Sequence, residues 1–457
     1  MLFDTITAIS TPLGEGAIGI VRMSGPDSFQ ILSEIFKPFK KSNDVLENRK
    51  MYYGHIFNNA KMIDEVMVVK LPSSGSYTME DVVEINCHGG MMPLREILAL
   101  ILSKGARMAD KGEFTKRAFL NGRIDLAQAE SVMDLISAKT EIGFDVAMHQ
   151  LKGHLSEKIT QYRDNLIGLM AEIEVSIDYP EEDIEEITYS KIESTLANIK
   201  NHLNDILEKS KSGKIIREGL KTVIVGKPNV GKSSLMNALL KDSRAIVTEI
   251  PGTTRDVIEE YMNISGIPIK LMDTAGIRDT EDLVEKIGVQ KSKFYFNEAD
   301  LIIFVLDASV ALTKEDHEIM SLVKNKHAIV IINKTDLESK IDMNAIHSVL
   351  MDKTIIKASI QNELGIEALE NEIKNMVFGN EVEVNYTDIM SNARHIQLVK
   401  DAEKNISDAL NAVHSGMPYD FIEVDVKNAI LNLGHITGES VEEDLMNTIF
   451  SNFCLGK

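Results

Sequence analysis

The stretch GKPNVGKS, residues 226–233, has the residue types and spacing of a phosphate-binding loop. It follows the apolar run TVIV and precedes SLMNALL, so we predict a strand, a glycine-rich turn and a helix in that order. Glycines let backbone N–H groups face phosphate oxygens, and the helix N-terminus adds positive potential. Lys232 can reach the β- and γ-phosphates, and the Ser233 hydroxyl can ligate Mg²⁺. The stretch therefore predicts a nucleoside triphosphate site.

Further motifs in the same region select the base and complete the magnesium site. The Asp336 carboxylate of NKTD (333–336) can accept two N–H groups from the edge of guanine, which adenine does not offer. GTTRD (252–256) supplies Thr254 as a magnesium-binding residue, and Asp273 of DTAG (273–276) can hold a magnesium-bound water. A fifth motif has Ser359-Ile360 where Ser-Ala is usual. The predicted GTP-binding residues are Asn229, Val230, Gly231, Lys232, Ser233, Ser234, Thr248, Glu249, Ile250, Pro251, Gly252, Thr253, Thr254, Asp273, Thr274, Ala275, Gly276, Asn333, Lys334, Asp336 and Ser359.

One position argues against an ordinary Ras-like mechanism. In Ras-like enzymes the residue after Asp-Thr-Ala-Gly is a glutamine that orients the attacking water. Here the residue is Ile277, whose side chain neither donates nor accepts a hydrogen bond. If the chain hydrolyses GTP, other groups must orient the water and neutralise the developing charge.

Composition limits the class of protein and its partners. The chain has 457 residues, and 70 acidic against 49 basic side chains give a net charge of −21. This balance argues against a broad basic face for DNA or anionic membrane, and RNA would need a local patch or a partner's surface. Two cysteines, no secretory signal pattern and no apolar run of about 20 residues predict a cytoplasmic protein without a transmembrane segment.

The hydrophobic pattern divides the chain into three predicted domains. Residues 1–118 alternate short β-rich runs with turns and one helical run, which indicates an α/β domain. Residues 119–218 and 380–457 show helical periodicity, for example from Leu151 to Ile177, and predict one discontinuous all-α domain. Between them, residues 219–379 alternate apolar strands with helices, which predicts an inserted Ras-like α/β P-loop domain.

With these residues in view, the chain resembles the MnmE family, also called TrmE, of tRNA-modification GTPases. The resemblance rests on DTITAISTPLGEGAIGIVRMSGP, GEFTKRAFLNGRIDLAQAE, GKPNVGKSSLMNAL and the final FCLGK, and it covers essentially the whole chain. It implies that residues 1–118 bind a tetrahydrofolate and dimerise. GEGAIG (14–19) formally matches a dinucleotide fingerprint, but a strand-like run follows it instead of a helix, so we expect no NAD site.

The resemblance also implies specific catalytic and cofactor residues. Family members use a potassium ion in place of an arginine finger, with ligands that fall here on Asn229, Thr248, Ile250 and Thr253, and a catalytic glutamate that falls on Glu285. From the residues alone, a solvated helix charge is the favoured interpretation of Glu285, one of four acids in DTEDLVE, and the resemblance reverses that preference. The one-carbon folate, a 5-formyl- or methylene-tetrahydrofolate, would be bound by Arg22, Glu84, Arg123 and Lys457.

The two cysteines remain open to more than one reading. Cys454 could be a thiolate nucleophile or a small packing residue. Cys87 and His88 in INCHGG are metal-ligating residue types, but two ligands do not make a site, so packing and turn roles are favoured.

The resemblance implies a homodimer that acts with a flavin-dependent partner of the MnmG (GidA) type. The pair would install an aminomethyl or carboxymethylaminomethyl group on carbon five of the tRNA wobble uridine. Two alternatives remain at this stage: a ribosome-assembly GTPase, which would need a basic RNA-binding module, and a GTP-gated scaffold without its own role in the chemistry.

Overall fold

The computed structural model describes residues 4–39, 46–178, 188–242, 260–272, 296–379 and 389–457. The strands are β1 (Ile6–Ile9), β2 (Gly16–Ser24), β3 (Phe36–Pro38), β4 (Met51–Asn58), β5 (Lys61–Leu71), β6 (Val82–Gly89), β7 (Arg107–Met108), β8 (Leu220–Val225), β9 (Glu260–Ile264), β10 (Ile267–Leu271), β11 (Leu301–Asp307), β12 (Ala328–Asn333) and β13 (Thr354–Lys357).

The α-helices are α1 (Ser28–Ile35), α2 (Met91–Ser103), α3 (Glu113–Leu120), α4 (Leu126–Ser137), α5 (Glu141–Leu151), α6 (His154–Asp178), α7 (Tyr189–Glu218), α8 (Lys232–Asp242), α9 (Lys314–Val323), α10 (Met343–Val349), α11 (Ile366–Phe378), α12 (Ala393–His414), α13 (Tyr419–Thr437) and α14 (Glu443–Ser451). A short 3₁₀ helix spans Ile360–Asn362. None of the described helices is long and apolar enough to cross a membrane.

The chain divides into two compact units. The first comprises Met1–Met133, Leu151–Arg163 and Leu431–Lys457, and the second comprises Asp134–Gln150 and Asp164–Ile430. The ends of the chain therefore belong to the same unit.

In the first unit, seven strands form one sheet in the order β3-β4-β5-β6-β2-β1-β7. All neighbours are antiparallel except β1 and β7, which run parallel. Alternate residues of a strand face opposite sides of the sheet, so Val83, Ile85 and Cys87 of β6 enter the core. Buried residues of α1 and α2 belong to the same core. The unit is the α/β fold that the sequence predicted.

The C-terminal segment packs into this first unit. Phe450 and Phe453 share a buried cluster with Ala118 of α3 and Leu126 of α4. The glycine before the last residue, Gly456, has φ +88, and a Cβ atom there would overlap the Ile9 carbonyl oxygen. Glycine therefore allows the tail to lie directly against the end of β1.

In the second unit, six strands form a sheet in the order β13-β12-β11-β8-β10-β9. Every pair is parallel except the β9–β10 hairpin. Apolar runs such as LIIFVLD in β11 are buried along their whole length, because helices cover both faces of the sheet. The predicted, mostly parallel α/β domain is confirmed, and parallel strands bring their carboxyl ends to one edge of the sheet.

The second unit also contains the long amphipathic helices that the sequence predicted on either side of this sheet. Helices α7 and α12 pack together along their lengths. Polar contacts flank the apolar one, with an ion pair between Lys200 Nζ and Glu403 Oε1 at 3.6 Å and a hydrogen bond between His414 Nε2 and Glu193 Oε1 at 2.9 Å. The helical fold class is therefore confirmed.

One helix begins later than its periodicity indicated. The spacing placed Leu151 on the same helix as Leu155 and Ile177, but Leu151 ends α5, and α6 begins at His154. Gly153 between them has φ +91, a left-handed conformation that interrupts an α-helix. The prediction of one continuous helix from Leu151 was wrong for this reason.

Candidate functional site

The phosphate-binding loop lies between β8 and α8, as the sequence predicted. Gly226 has φ +147, and a Cβ atom there would overlap the Val305 carbonyl oxygen of β11. Asn229 is left-handed at φ 65, which an asparagine tolerates better than most residues. Ser233 and Ser234, in the first turn of α8, are exposed. The turn thus has an open helix N-terminus, which favours an anion.

Lys232 lies within the curve of this loop. Its Nζ donates hydrogen bonds to the carbonyl oxygens of Gly226 (2.6 Å) and Lys227 (2.7 Å). Burial lowers the pKa of Lys232, and the nearby Glu315 carboxylate partly opposes that shift. An amine held this way can turn to phosphate oxygens, whose negative charge favours its protonated form.

The NKTD motif holds the loop from the neighbouring strand end. Asn333, the last residue of β12, donates from Nδ2 to the Val230 carbonyl at 2.8 Å. Lys334 Nζ donates to the Asn229 carbonyl at 2.9 Å and lies 2.6 Å from Asp307 Oδ2. Burial by itself would raise the pKa of Asp307, but the hydrogen bond and charge of Lys334 and two hydrogen bonds from Ser309 outweigh it and hold the pKa below its usual value. Hydrogen bonds therefore join the NKTD motif directly to the phosphate-binding loop.

The predicted guanine-binding residues meet at the same edge. Ser359 Oγ donates to Asp336 Oδ1 at 2.6 Å, and Asn333 Oδ1 accepts from the Ile360 N–H at 3.1 Å. Asn362 Nδ2 donates to Ser359 Oγ at 2.9 Å. Ile360 is buried, so the departure from Ser-Ala places an apolar side chain in the core and leaves the backbone of the motif in place.

Several predicted residues lie outside the described part of the chain. They lie in two segments of the sequence, one that includes GTTRD and one that begins with DTAG. These residues are Thr248, Glu249, Ile250, Pro251, Gly252, Thr253, Thr254, Asp273, Thr274, Ala275, Gly276, Ile277 and Glu285. Of the predicted potassium ligands, Asn229 is described, and of the magnesium ligands, Ser233 is described.

A second polar cluster lies in the first unit and contains the predicted folate residues. Arg22 of β2 pairs with Glu84 of β6 across the sheet, with Nε 2.9 Å and Nη2 2.8 Å from Glu84 Oε1. The Arg22 guanidinium lies 5.8 Å from the Tyr77 ring, and the Arg123 guanidinium lies 4.4 Å from the same ring. The structure thus brings Arg22 and Arg123 to one aromatic side chain and pairs Arg22 with Glu84.

The C-terminal tail reaches this cluster within the same chain. Arg22 Nη1 donates to the Gly456 carbonyl at 3.5 Å, and Ser10 Oγ donates to the same oxygen at 3.2 Å. The Phe114 N–H, in the first turn of α3, donates to the Lys457 carbonyl at 3.2 Å. The tail therefore supplies hydrogen-bond acceptors to the first N–H groups of α3, a helix whose N-terminus lacks a side-chain cap.

A buried ionic network lies beside the cluster and was not predicted. The Arg117 side chain is 1% exposed and contacts three carboxylates, those of Asp4, Glu80 and Glu113, at 2.7, 3.1 and 3.0 Å. Burial raises the pKa of Glu113, but hydrogen bonds from Arg107, the Asp110 N–H and Arg117 outweigh it and leave the pKa lowered. The network keeps α3 and its Phe114, whose ring lies 5.7 Å from the Arg22 guanidinium, against the sheet.

The two cysteines differ in their surroundings. Cys87 is buried, and its thiol donates to the Gly19 carbonyl at 3.3 Å. Burial and the charge of Asp64 raise the pKa of this thiol to about 11. The adjacent His88 is exposed, and its Nδ1 lies 2.7 Å from Asp64 Oδ1, which raises the pKa of the imidazole. Cys454, in the tail, is exposed.

Sequence reasoning missed three participants in these sites. Tyr77 lies in a loop without periodicity, so nothing marked it except its aromatic ring. Asp307 ends a strand, a position where polar residues often serve ligands, and that signal could have found it. Arg117 looks like one half of a surface pair at i,i+4 spacing with Glu113, and only the fold shows its burial.

Comparisons with known proteins match the whole chain. The family model for the GTP-binding protein TrmE N-terminus matches residues 5–123, and that for the MnmE helical domain matches residues 126–454. The tRNA modification GTPase MnmE of Alkaliphilus metalliredigens (strain QYMF) is 54% identical, with 100% of each chain covered. That of Clostridioides difficile (strain 630) is 52% identical, with 99% of each chain covered. That of Staphylococcus aureus (strain Newman) is 49% identical, with 100% of each chain covered.

Proposed function

Because this chain belongs to the MnmE family of tRNA modification GTPases, we propose that it hydrolyses GTP to drive modification of the tRNA wobble uridine. The product would be an aminomethyl or carboxymethylaminomethyl group on carbon five of the uracil. The observation that carries the proposal is that one chain holds both a guanine-nucleotide site and the Arg22–Glu84–tail cluster.

The nucleotide site supports a mechanism based on positioning and charge. Bound GTP would place its base at Asp336 and its phosphates at Lys232, with magnesium on Ser233 and Thr254. Potassium, held in part by Asn229, would neutralise charge on the transferred phosphoryl, as an arginine finger does in other GTPases. Glu285 would orient the water by accepting its hydrogen bond.

The polar cluster supports a folate site by its chemistry. The Glu84 carboxylate can accept the amino and ring N–H groups of a pterin, while Arg22, Arg123 and Lys457 can pair with carboxylates. The Tyr77 ring adds an aromatic face beside both arginines. No ion pair among the described residues involves the Lys457 ammonium, so it can turn to a ligand. A one-carbon tetrahydrofolate bound here would donate the carbon.

The same proposal includes an assembly. Residues 1–118 would form the folate-binding and dimerisation domain, residues 119–218 with 380–457 the helical domain, and residues 219–379 the inserted GTPase domain. Pairing of two GTPase domains in a homodimer would complete the potassium site. A flavoprotein of the MnmG (GidA) type would supply the redox chemistry and much of the tRNA surface, which suits the net charge of −21.

Nucleoside mass spectrometry of tRNA from a strain that lacks the gene tests the proposal. We expect unmodified wobble uridine in the deletion strain and restored modification when the gene is returned on a plasmid. Fully modified tRNA in the deletion strain would refute it. A ribosome-assembly GTPase would leave the modification intact and alter ribosomal subunit profiles instead.

A further inference from the structure

A second lysine of the phosphate-binding loop is tied to a neighbouring helix. Lys227 Nζ lies 2.6 Å from Asp316 Oδ2 and donates to Thr313 Oγ1 at 3.1 Å. The two charged side chains are only 15% and 2% exposed. The contact is therefore a nearly buried ion pair between the loop and the first turn of α9.

Asp316 is already committed to the N-terminus of α9. Its Oδ2 accepts from the Thr313 N–H at 2.8 Å and from Thr313 Oγ1 at 2.9 Å, in a capping box. Its Oδ1 is buried without a hydrogen-bond partner in the part of the chain that the structure describes. A buried carboxylate needs compensation, and within that part Lys227 is its ion-pair partner. The position of Lys227 is therefore strongly determined.

A fixed position of Lys227 also restrains the backbone of Asn229. Only Pro228 separates the two residues, and its ring restricts φ. Asn229 has the left-handed φ of 65, which is less favourable than a right-handed conformation even for asparagine, so contacts of the neighbouring loop residues help to hold it. The Lys232 ammonium has three N–H donors and uses two of them on the carbonyls of Gly226 and Lys227, which leaves one for a phosphate oxygen. The Lys227–Asp316 pair holds the same half of the loop through the Lys227 side chain.

We propose that Lys227 is a positioning residue of the GTPase site. Its ion pair with Asp316 fixes the loop from Gly226 to Pro228, so that Asn229 keeps the conformation in which it can ligate potassium and the loop keeps its shape around phosphates. The potassium part of this inference rests on the proposed function.

The test separates positioning from stability with a double variant. Lys227→Met alone leaves Asp316 as a buried uncompensated charge and should lower the melting temperature by several degrees. Adding Asp316→Asn removes that charge, keeps an acceptor for the Thr313 cap, and should restore the melting temperature to within about 2 °C of the wild type. The double variant should nevertheless bind mant-GDP about fivefold more weakly and need about fivefold more potassium for half-maximal hydrolysis.

Two control variants define the baseline. Lys227→Arg keeps the ion pair and should stay within about twofold of the wild type in both measurements. Lys211→Met removes an exposed helix pair with Glu208 in the same unit and should change neither.

A double variant with wild-type GDP affinity and potassium response would overturn the inference. If the wild type hydrolyses GTP equally in sodium, the proposed potassium role fails, and GDP affinity alone decides the role of Lys227. If the double variant does not fold, Lys227→Ala combined with Asp316→Asn, which likewise removes both charges, is judged by the same criteria.

Discussion

Deletion of the last four residues, Cys454 to Lys457, tests the composite folate site. The deletion removes the Lys457 ammonium, the Gly456 carbonyl that accepts from Arg22, and the Lys457 carbonyl that accepts from Phe114. A hydrogen bond to a charged group contributes about 1.5–3 kcal/mol, so loss of the ammonium alone should weaken binding about 10- to 150-fold. Loss of a helix cap typically costs about 1 kcal/mol of stability.

Titration with 5-formyl-tetrahydrofolate by calorimetry measures the effect. Lys457→Ala keeps the carbonyl acceptors and should show the charge contribution alone, while the deletion should bind more weakly still. GTP hydrolysis, measured on the same samples, should stay within about twofold of the wild type, because the tail belongs to the unit without the phosphate-binding loop. A truncated protein that binds the folate with full affinity would show that the tail is not part of the folate site.

The nucleotide site, the ionic network around Arg117 and the two cysteines give four further predictions. GTP hydrolysis by the wild type should be about tenfold or more faster in potassium than in sodium at equal ionic strength, and Asn229→Ala should remove that difference. Equal wild-type rates in the two salts would exclude the potassium role. Glu285→Ala should lower kcat about 10²-fold or more with nearly unchanged GTP affinity, whereas a parallel loss of binding would indicate a structural role. The pKa of Glu113 is lowered in the folded chain. Its ionised form therefore stabilises the fold above the unfolded-state pKa of about 4.3, and this stabilisation is lost as the pH falls through the lower pKa of the folded chain. Glu113→Gln should therefore flatten the loss of stability between about pH 5 and 3 in urea unfolding, and an unchanged slope would contradict this. The Cys87 thiol, with a pKa of about 11, is only about 0.1% ionised at pH 8. Iodoacetamide should therefore label the exposed Cys454 and leave Cys87 unmodified in peptide mass spectra. Rapid labelling of both cysteines would be inconsistent with the burial of Cys87.

Local patterns predicted the elements and the nucleotide motifs because their information lies within short stretches. The loop at 226–233 and NKTD each carry their geometry in consecutive residues, and parallel strands then bring them to one edge. The tail could be assigned to the folate site only through the family resemblance. Nothing local in FCLGK shows that Gly456 contacts Ser10 and Arg22, since these residues are far apart along the chain.

Buried charges were the features that sequence patterns could not reveal. Arg117 and Glu113 have the spacing of a solvated helix pair, and their burial depends on Asp4 and Glu80, which arrive from other elements. A helix start was also misplaced, because the hydrophobic period continued across the turn that Gly153 makes. Periodicity reports which face is apolar, but it does not report a local backbone break.

If GTP hydrolysis by this chain drives wobble uridine modification, a chain that cannot hydrolyse GTP must leave the wobble uridine unmodified. The most direct test returns either the wild-type gene or Lys232→Ala to the deletion strain and quantifies the modified nucleoside by mass spectrometry. Lys232 is the amine that the loop holds for phosphates, so its loss should impair nucleotide hydrolysis without touching the first unit. We expect modified tRNA with the wild type and unmodified tRNA with Lys232→Ala at equal protein level, and full modification with Lys232→Ala would show that hydrolysis is not required.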